Sequence, residues 1–213
     1  MPTLLRLDSS ADARNSRSRD VTGAFARAWA ARGPEYTVTH HDLVRNPVPH
    51  VRDSALHWAP ELRTPDEKPP PESERAQQEV LDELGRADVL VIGAPMYNYS
   101  LPSTLKAWID QVHVLGVTTP FGELTTQPFK GRPVVIVASS GLAYDSGPQE
   151  GMDHAVPVLR TILGDALGMD VTVIYTRYTL AGRVPALAEM ASRAAAEHES
   201  ALQQAADLAA RLG

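Results

Sequence analysis

One segment constrains the fold of this chain more than any other: an apolar run at residues 89–95 that leads into four polar and aromatic residues and then an amphipathic helix. Every position of the run is apolar or small, which indicates a strand covered on both faces, as in parallel α/β sheets. Such sheets bind ligands in the crevice beyond the carboxyl ends of their strands. Because Met96, Tyr97, Asn98 and Tyr99 follow the strand directly, they are the first candidates for a binding site.

The same alternation of apolar runs and helical periodicity continues along the chain. It predicts strands at residues 3–8, 36–41, 88–94, 133–138 and 171–175, and helices at residues 16–32, 74–86, 101–115, 156–167 and 185–212. Since each parallel crossover needs a helix, we expect an α/β fold with a doubly wound five-stranded parallel sheet, in the order 2-1-3-4-5, and helices on both faces. The proline-rich stretch at residues 43–72 has no sustained period or core of its own, so it is predicted to be an excursion within a single domain of residues 1–213.

Composition excludes several classes of function. The chain has no cysteine, which removes disulfides and thiolate chemistry. Its formal charge of −6 argues against a nucleic-acid partner. Because no apolar run approaches the roughly 20 residues that span a bilayer, no membrane insertion is expected. The chain begins directly with a predicted strand, so we expect a soluble cytoplasmic protein.

The seven histidines do not indicate a metal site. His40 and His41 are adjacent on a predicted strand, where neighbouring side chains point to opposite faces, and no HExxH-type pair exists. We expect no bound metal.

Three loops that follow strands one, three and four carry polar residues suited to a ligand. In the first loop, Ser16 is a candidate N-cap with Arg17 and Ser18 in the first helical turn, and such a helix end offers free N–H groups to a phosphate. The alternative is that Ser16 only caps the helix. In the second, Asn98 between two tyrosines would suit a planar heteroaromatic ring. In the third, Gly141 follows two serines where the backbone would approach a ligand closely.

These loops belong to a longer pattern that runs through nearly the whole chain. Its members are Ser9-Ser10, Asn15-Ser16-Arg17-Ser18, Ala94-Pro95-Met96-Tyr97-Asn98-Tyr99, Leu105-Lys106, Asp110, Gly116-Val117-Thr118 and residues 139–148. In order and spacing this pattern resembles the FMN-dependent NADH-azoreductase family of flavodoxin-like quinone reductases.

The resemblance implies a homodimer with one tightly bound FMN per subunit. NADH, with NADPH as an alternative donor, would deliver a hydride, and two electrons would pass to quinones or azo compounds in a ping-pong cycle. Since the chemistry belongs to the flavin, no catalytic side chain is required. By similarity, the phosphate would be held by Ser10, Ser16, Arg17 and Ser18, the isoalloxazine lined by Met96, Tyr97, Asn98 and Tyr99, and its pyrimidine edge met by Ser139, Ser140, Gly141 and Leu142.

Two departures from the family pattern affect the expected substrate range. After strand four the family often has Ser-Arg-Gly-Gly, where this chain has Ser140 in place of the arginine and Leu142 in place of the second glycine. The segment around Asp165 also lacks the phenylalanine that relatives often place near the partner subunit's flavin. Tyr144 is a candidate wall over the flavin, and an ordinary loop tyrosine is the alternative.

Two other functions fit parts of the sequence. A non-catalytic FMN electron carrier or flavin-binding module would use the same crevice without nicotinamide turnover. A flavodoxin-like serine esterase would use Asp8-Ser9 at the end of strand one with Asp110 and His113, although those two residues fall within a predicted helix and not near the C-terminus.

Overall fold

The computed structural model describes residues 1–144 and 147–213. Five strands form one parallel sheet in the order β2-β1-β3-β4-β5, which confirms the predicted topology. The strands are β1 (Thr3–Asp8), β2 (Thr37–Asp42), β3 (Val89–Pro95), β4 (Pro133–Ser139) and β5 (Asp170–Thr176). All seven residues of β3 are buried, as the continuous apolar run predicted.

Helices cover both faces of the sheet. They are α1 (Arg17–Ala30), α2 (Pro71–Gly85), α3 (Ser103–Val112), α4 (Val156–Leu159) and α5 (Ala191–Arg211). The predicted helix at 156–167 continues beyond α4 as a π-helix, Arg160–Ala166, and the predicted helix at 185–212 begins with a 3-10 segment, Pro185–Met190. The π-helical continuation does not change which side of the 156–167 segment is buried, since Leu159, Leu163 and Leu167 are all fully buried.

Helix α3 ends three residues earlier than the sequence predicted. The Thr118 hydroxyl donates to the carbonyl of Val112 at 2.6 Å and accepts from the N–H of Val114 at 2.9 Å. These two bonds replace the backbone bonds that would continue the helix. His113 accordingly has an extended conformation, with φ −90° and ψ 90°.

The two sides of the sheet form two apolar clusters. Alternate residues along β1, β3, β4 and β5 enter one or the other, because successive side chains of a strand point to opposite faces. The cluster beneath α1 and α5 contains Val89 and Val91 of β3 together with Phe25 and Trp29. The cluster beneath α2 and α3 contains Leu90 and Ile92 of the same strand and the fully buried Trp108.

The proline-rich stretch at residues 43–72 packs against the α2 and α3 side of the sheet. Leu43 and Val48 belong to that apolar cluster. Two 3-10 turns follow, Ser54–His57 and Pro60–Leu62. The turns are tied to the segment after α3 by backbone bonds in which the Ala59 N–H donates to Leu115 and the Leu115 N–H to His57. In the described residues no helix is long and apolar enough to span a membrane.

Gly93 of β3 lies where the sheet meets the first loop. Its close surroundings predict that a larger side chain there lowers the stability of the fold. A Cβ there would lie 2.9 Å from Asp8 Oδ1 and 3.4 Å from Thr22 Cγ2. Since both neighbours are buried, Gly93→Ala is expected to lower the free energy of unfolding by about 1–3 kcal/mol in urea titrations.

Gly85→Ala is the matched control, because nothing lies within 4 Å of its added Cβ at the end of α2. It is expected to leave the free energy of unfolding unchanged or raise it by up to about 1 kcal/mol. Equal effects of the two substitutions would contradict the role assigned to Gly93.

Candidate functional site

The loops that follow β1, β3 and β4 meet at the carboxyl edge of the sheet. The Ser9 hydroxyl donates to the carbonyl of Gly93 at 2.7 Å. Tyr97 reaches the first loop with its hydroxyl, which accepts from the N–H of Ala11 at 3.0 Å. The Met96 N–H donates to the carbonyl of Ser139 at 2.7 Å. Each predicted ligand loop is therefore bonded to one of the other two.

The first loop ends in the helix cap that the sequence predicted. Ser16 is the N-cap of α1, and its hydroxyl accepts from the N–H of Arg19 at 3.3 Å. The hydroxyls of Ser16 and the fully buried Ser18 lie 3.2 Å apart. Among the described residues, nothing accepts from the N–H groups of Arg17 and Ser18. The helix start therefore offers two free donors and a positive dipole end.

The side chain of Arg17 lies away from this loop. Its guanidinium donates to the carbonyl of Ala194 in α5 at 2.5 Å. What Arg17 contributes to the loop is its backbone N–H. This contact could not be predicted from the sequence, because Ala194 lies 177 residues further along the chain.

A turn closed by Asp12 shapes the middle of the first loop. Its carboxylate accepts from the N–H groups of Asn15 and Arg14, each at 2.9 Å. These two bonds lower the pKa of Asp12. The fixed turn forms one side of a cleft of about 530 Å³, whose lining residues are Ala11, Asp12, Ala13, Arg14, Asn15, Tyr97 and Arg183.

Arg183 is a site residue that sequence reasoning missed. It lies in the segment between β5 and α5, and with Arg14 it places positive charge at the cleft. Both arginines act electrostatically on Asp12 and favour its charged form. No local motif marks Arg183, since only the tertiary fold brings its segment beside the first loop.

The loop after β3 is a tight turn with two strained residues. Tyr97 and Ser100 exchange backbone hydrogen bonds of 3.0 Å in both directions. The central residues, Asn98 and Tyr99, have φ values of 50° and 67°, in the left-handed region that favours glycine. Such conformations cost roughly 1 kcal/mol or more each and concentrate at ligand sites. The turn leaves the Tyr97 and Tyr99 side chains 36% and 47% exposed.

Tyr144 lies beside this turn. Its ring meets the ring of Tyr99 edge to face, with 6.1 Å between centroids and an interplanar angle of 89°. Tyr99 is also held by its carbonyl, which accepts from the N–H of His154 at 2.9 Å. Burial raises the pKa of the Tyr144 hydroxyl.

The loop after β4 is shaped by the segment that follows β5. The N–H of Ser140 donates to the carbonyl of Thr176 at 3.3 Å, and its hydroxyl donates to the carbonyl of Leu142 at 2.6 Å. A Cβ on Gly141 would lie 2.6 Å from Leu180 Cδ1, so the close approach at this glycine is to Leu180. Residues 145 and 146 of the predicted motif lie outside the described residues.

An ionic cluster lies behind the first loop. The Asp8 carboxylate is fully buried and contacts Arg6 Nη2 at 2.7 Å, the Thr22 hydroxyl at 2.7 Å and His40 Nε2 at 2.9 Å. Next to it, Arg19 forms a bidentate pair with Asp42, with N–O distances of 2.7 and 2.8 Å. This pairing holds the pKa of the Asp42 carboxyl at about 2.

Contacts of the remaining candidate residues argue against hydrolysis by an Asp-Ser-His arrangement. The Ser9 hydroxyl is buried and donates to Gly93, and Asp110 pairs with Lys106 at 2.5 Å. His40 and His41, the adjacent histidines that were considered above as metal ligands, have different partners: His40 pairs with Asp8 and His41 with Glu83.

Known proteins match this chain over its whole length. A family model described as having a flavodoxin-like fold matches residues 2–206. The chain therefore belongs to this flavodoxin-like family.

Within it, curated relatives carry a more specific name. A protein of Kineococcus radiotolerans is 52% identical over 213 residues, covering 100% of both chains, and one of Streptomyces coelicolor is 42% identical, covering 100% of this chain and 97% of the relative. Both are named FMN-dependent NADH:quinone oxidoreductase. The crystal structure of azoreductase from Bacillus anthracis str. Sterne has the same fold, with a TM-score of 0.81, 19% identity and 100% coverage of both chains.

The depressed pKa of Asp42 predicts a pH-dependent contribution to stability. A carboxyl whose pKa falls from 3.8 to about 2 on folding stabilises the folded state by about 2 kcal/mol at pH values above the unfolded pKa. That contribution is lost as pH falls toward 2. In urea titrations, Asp42→Asn is expected to lower the free energy of unfolding at pH 7, with the gap to wild type shrinking between pH 5 and pH 2.

Asp66→Asn controls for the loss of one negative charge, because Asp66 is an exposed residue of the proline-rich stretch. A gap between wild type and Asp42→Asn that stays constant with pH would contradict the prediction.

Proposed function

We propose that this protein is an FMN-dependent NADH:quinone oxidoreductase that reduces quinones and aromatic azo compounds by two electrons in a ping-pong cycle. The observation that carries the proposal is the meeting of a helix start that has free N–H groups with a strained turn that exposes two tyrosines. One end suits a phosphate and the other a planar ring, as FMN requires. The names of the curated relatives point to the same activity.

The phosphate end consists of the first loop and the start of α1. Hydroxyls come from Ser10, Ser16 and Ser18, and backbone N–H groups from Arg17 and Ser18. Neutral donors aligned at a helix start bind a phosphate without an opposing charge. Arg14 and Arg183 add positive charge at the adjoining cleft.

The ring end consists of the turn after β3 and the loop after β4. Met96, Tyr97, Asn98 and Tyr99 provide flat apolar surface and one amide for the isoalloxazine, and residues 139–142 provide backbone groups for its pyrimidine edge. Bound FMN supplies a ring that accepts a hydride and passes two electrons on. The role of the chain is to hold the ring and to direct N–H dipoles toward the edge where negative charge develops.

Substrates approach beside the edge-to-face pair of Tyr99 and Tyr144. The two rings offer aromatic surface to a nicotinamide, a quinone or an aromatic azo compound stacked over the flavin. NADH is the proposed donor, with NADPH as the alternative.

The proposal extends to the assembly and location of the protein. The chain forms one domain of residues 1–213 and works as a cytoplasmic homodimer. The resemblance of the chain to the FMN-dependent NADH-azoreductase family, which implies a homodimer, supports this assembly.

The activity is tested by flavin reduction without oxygen. The purified protein is expected to bind FMN with a 1:1 stoichiometry, to lose its yellow colour when NADH is added, and to regain it with a benzoquinone or an azo dye. A yellow protein that NADH does not bleach would favour an electron carrier, and a protein that binds no FMN would overturn the proposal.

A matched pair of tyrosine variants tests the placement of the cofactor. Tyr97→Phe removes a hydroxyl that bonds to the first loop, whereas Tyr36→Phe removes one that bonds to Arg32. We expect FMN to bind Tyr97→Phe about 3- to 30-fold more weakly than wild type and Tyr36→Phe as wild type does, as measured by quenching of flavin fluorescence. Equal affinities of all three proteins would count against this site.

The molecular mass of the protein in solution tests the proposed homodimer. One chain has a mass of 23.0 kDa, so light scattering during gel filtration is expected to give about twice that value. A fully active protein with the mass of a single chain would contradict the proposed assembly.

A further inference from the structure

Arg19, which lies one helical turn after the Ser16 cap, makes a polar contact with the first loop. The carbonyl of Ser10 accepts two hydrogen bonds from its guanidinium, from Nη2 at 2.7 Å and from Nε at 3.1 Å. Nη2 also takes part, together with Nη1, in the bidentate pair with Asp42. The side chain of Arg19 is only 15% exposed.

Asp42 is itself fixed in the sheet. It is the last residue of β2 and pairs in register with Asp8 of β1. Its Oδ1 also accepts from the N–H of Val44 at 3.1 Å. Arg19 therefore connects a rigid strand end to the point where the first loop leaves β1.

Arg19 lacks the properties of a direct anion ligand. Its Nε and both of its terminal nitrogens are already engaged, and the carboxylate of Asp42 balances its charge. What the geometry secures is the position of Ser10, whose hydroxyl lies 3.3 Å from the Tyr97 hydroxyl. Between Ser10 and the Ser16 cap, the loop is held by the Asp12 turn and by the bond from the Ala11 N–H to the Tyr97 hydroxyl, next to Ser10, so its path depends on where Ser10 lies.

We propose that Arg19, anchored by Asp42, is a positioning residue for phosphate recognition: it holds the first loop open in the shape that receives the terminal phosphate of the flavin. This inference rests on the proposed FMN function. A loop that is ordered before binding loses less conformational freedom when the ligand arrives, so its affinity is higher. The benefit applies only to a ligand that carries the phosphate.

Lysine cannot replace arginine in this arrangement. The planar guanidinium presents parallel N–H groups to Asp42 on one edge and others to Ser10, whereas an ammonium is a single point charge on a flexible stem. Arg19→Lys keeps the charge beside Asp42 and removes the rigid link to Ser10.

The test compares two ligands that differ only in the phosphate, FMN and riboflavin. Each is titrated into the apoprotein, and binding is followed by flavin fluorescence. Arg19→Lys is expected to raise the Kd of FMN by about 10- to 100-fold and to change the Kd of riboflavin by no more than about threefold.

Arg6→Lys is the matched control. Arg6 is also a largely buried arginine of the ionic cluster, but its partners are Asp8, Thr22 and the carbonyl of Arg19, and it does not contact Ser10. The ratio of its Kd values for FMN and riboflavin is expected to match that of wild type within about threefold. If Arg19→Lys does not fold, Asp42→Asn decides the question by the same ratio, since it removes the anchor of Arg19.

Three results would overturn the inference. If Arg19→Lys binds FMN and riboflavin equally more weakly, Arg19 supports the whole fold. If it binds both as tightly as wild type does, the loop keeps its shape without Arg19. An equal loss of phosphate discrimination in Arg6→Lys would assign the effect to the cluster in general. A wild-type protein that binds no FMN would remove the proposed function itself, whereas FMN binding that Arg19→Lys retains would remove this inference alone.

Discussion

The parallel pairing of β1 between β2 and β3 determines where the first loop and the loop after β3 emerge. Asp8, the last residue of β1, lies in register with Asp42 on one side and with Gly93 on the other. From this edge the chain leaves β1 for α1, over one face of the sheet, and leaves β3 for α3, over the opposite face. Because the two connections diverge, a crevice opens between them, and both ligand loops border it.

An ionic layer supports the floor of that crevice. Buried charges are tolerated when each has a partner, and here Asp8 is matched by Arg6 and Asp42 by Arg19. The Thr22 hydroxyl also donates to Asp8, and Arg19 donates to the carbonyl of Ser10, so the layer connects β1, β2 and α1. Directional bonds of this kind specify the path of the first loop more closely than apolar contacts could, since apolar contacts are non-directional.

The sequence predicted the sheet because each strand is an apolar run and each crossover needs a helix. The Ser16 cap and the loop that contains Asn98 were equally visible, since their signals are local. The early end of α3 could not be predicted from the sequence, because it depends on the hydroxyl of Thr118, which lies six residues beyond Val112. The Arg19 to Asp42 pair was also invisible, since only the register of β1 and β2 brings those residues together. Local periodicity predicts elements, and side-chain contacts between distant segments complete the site.

An acidic chain with a net charge of −6 can still bind a phosphate, because attraction at this site depends on short distances. Asp42 balances the positive charge of Arg19, and the guanidinium of Arg17 lies against α5. Neither arginine therefore supplies a long-range electric field at the first loop. Arg14 and Arg183 add positive charge at the adjoining cleft, and the start of α1 adds free N–H groups whose influence falls off within about one helical turn. Solvent and salt screen distant charges much more than groups in direct contact. Recognition of the phosphate should therefore depend more on the shape of the first loop than on the overall charge of the protein, which is why a residue that only sets this shape can control affinity.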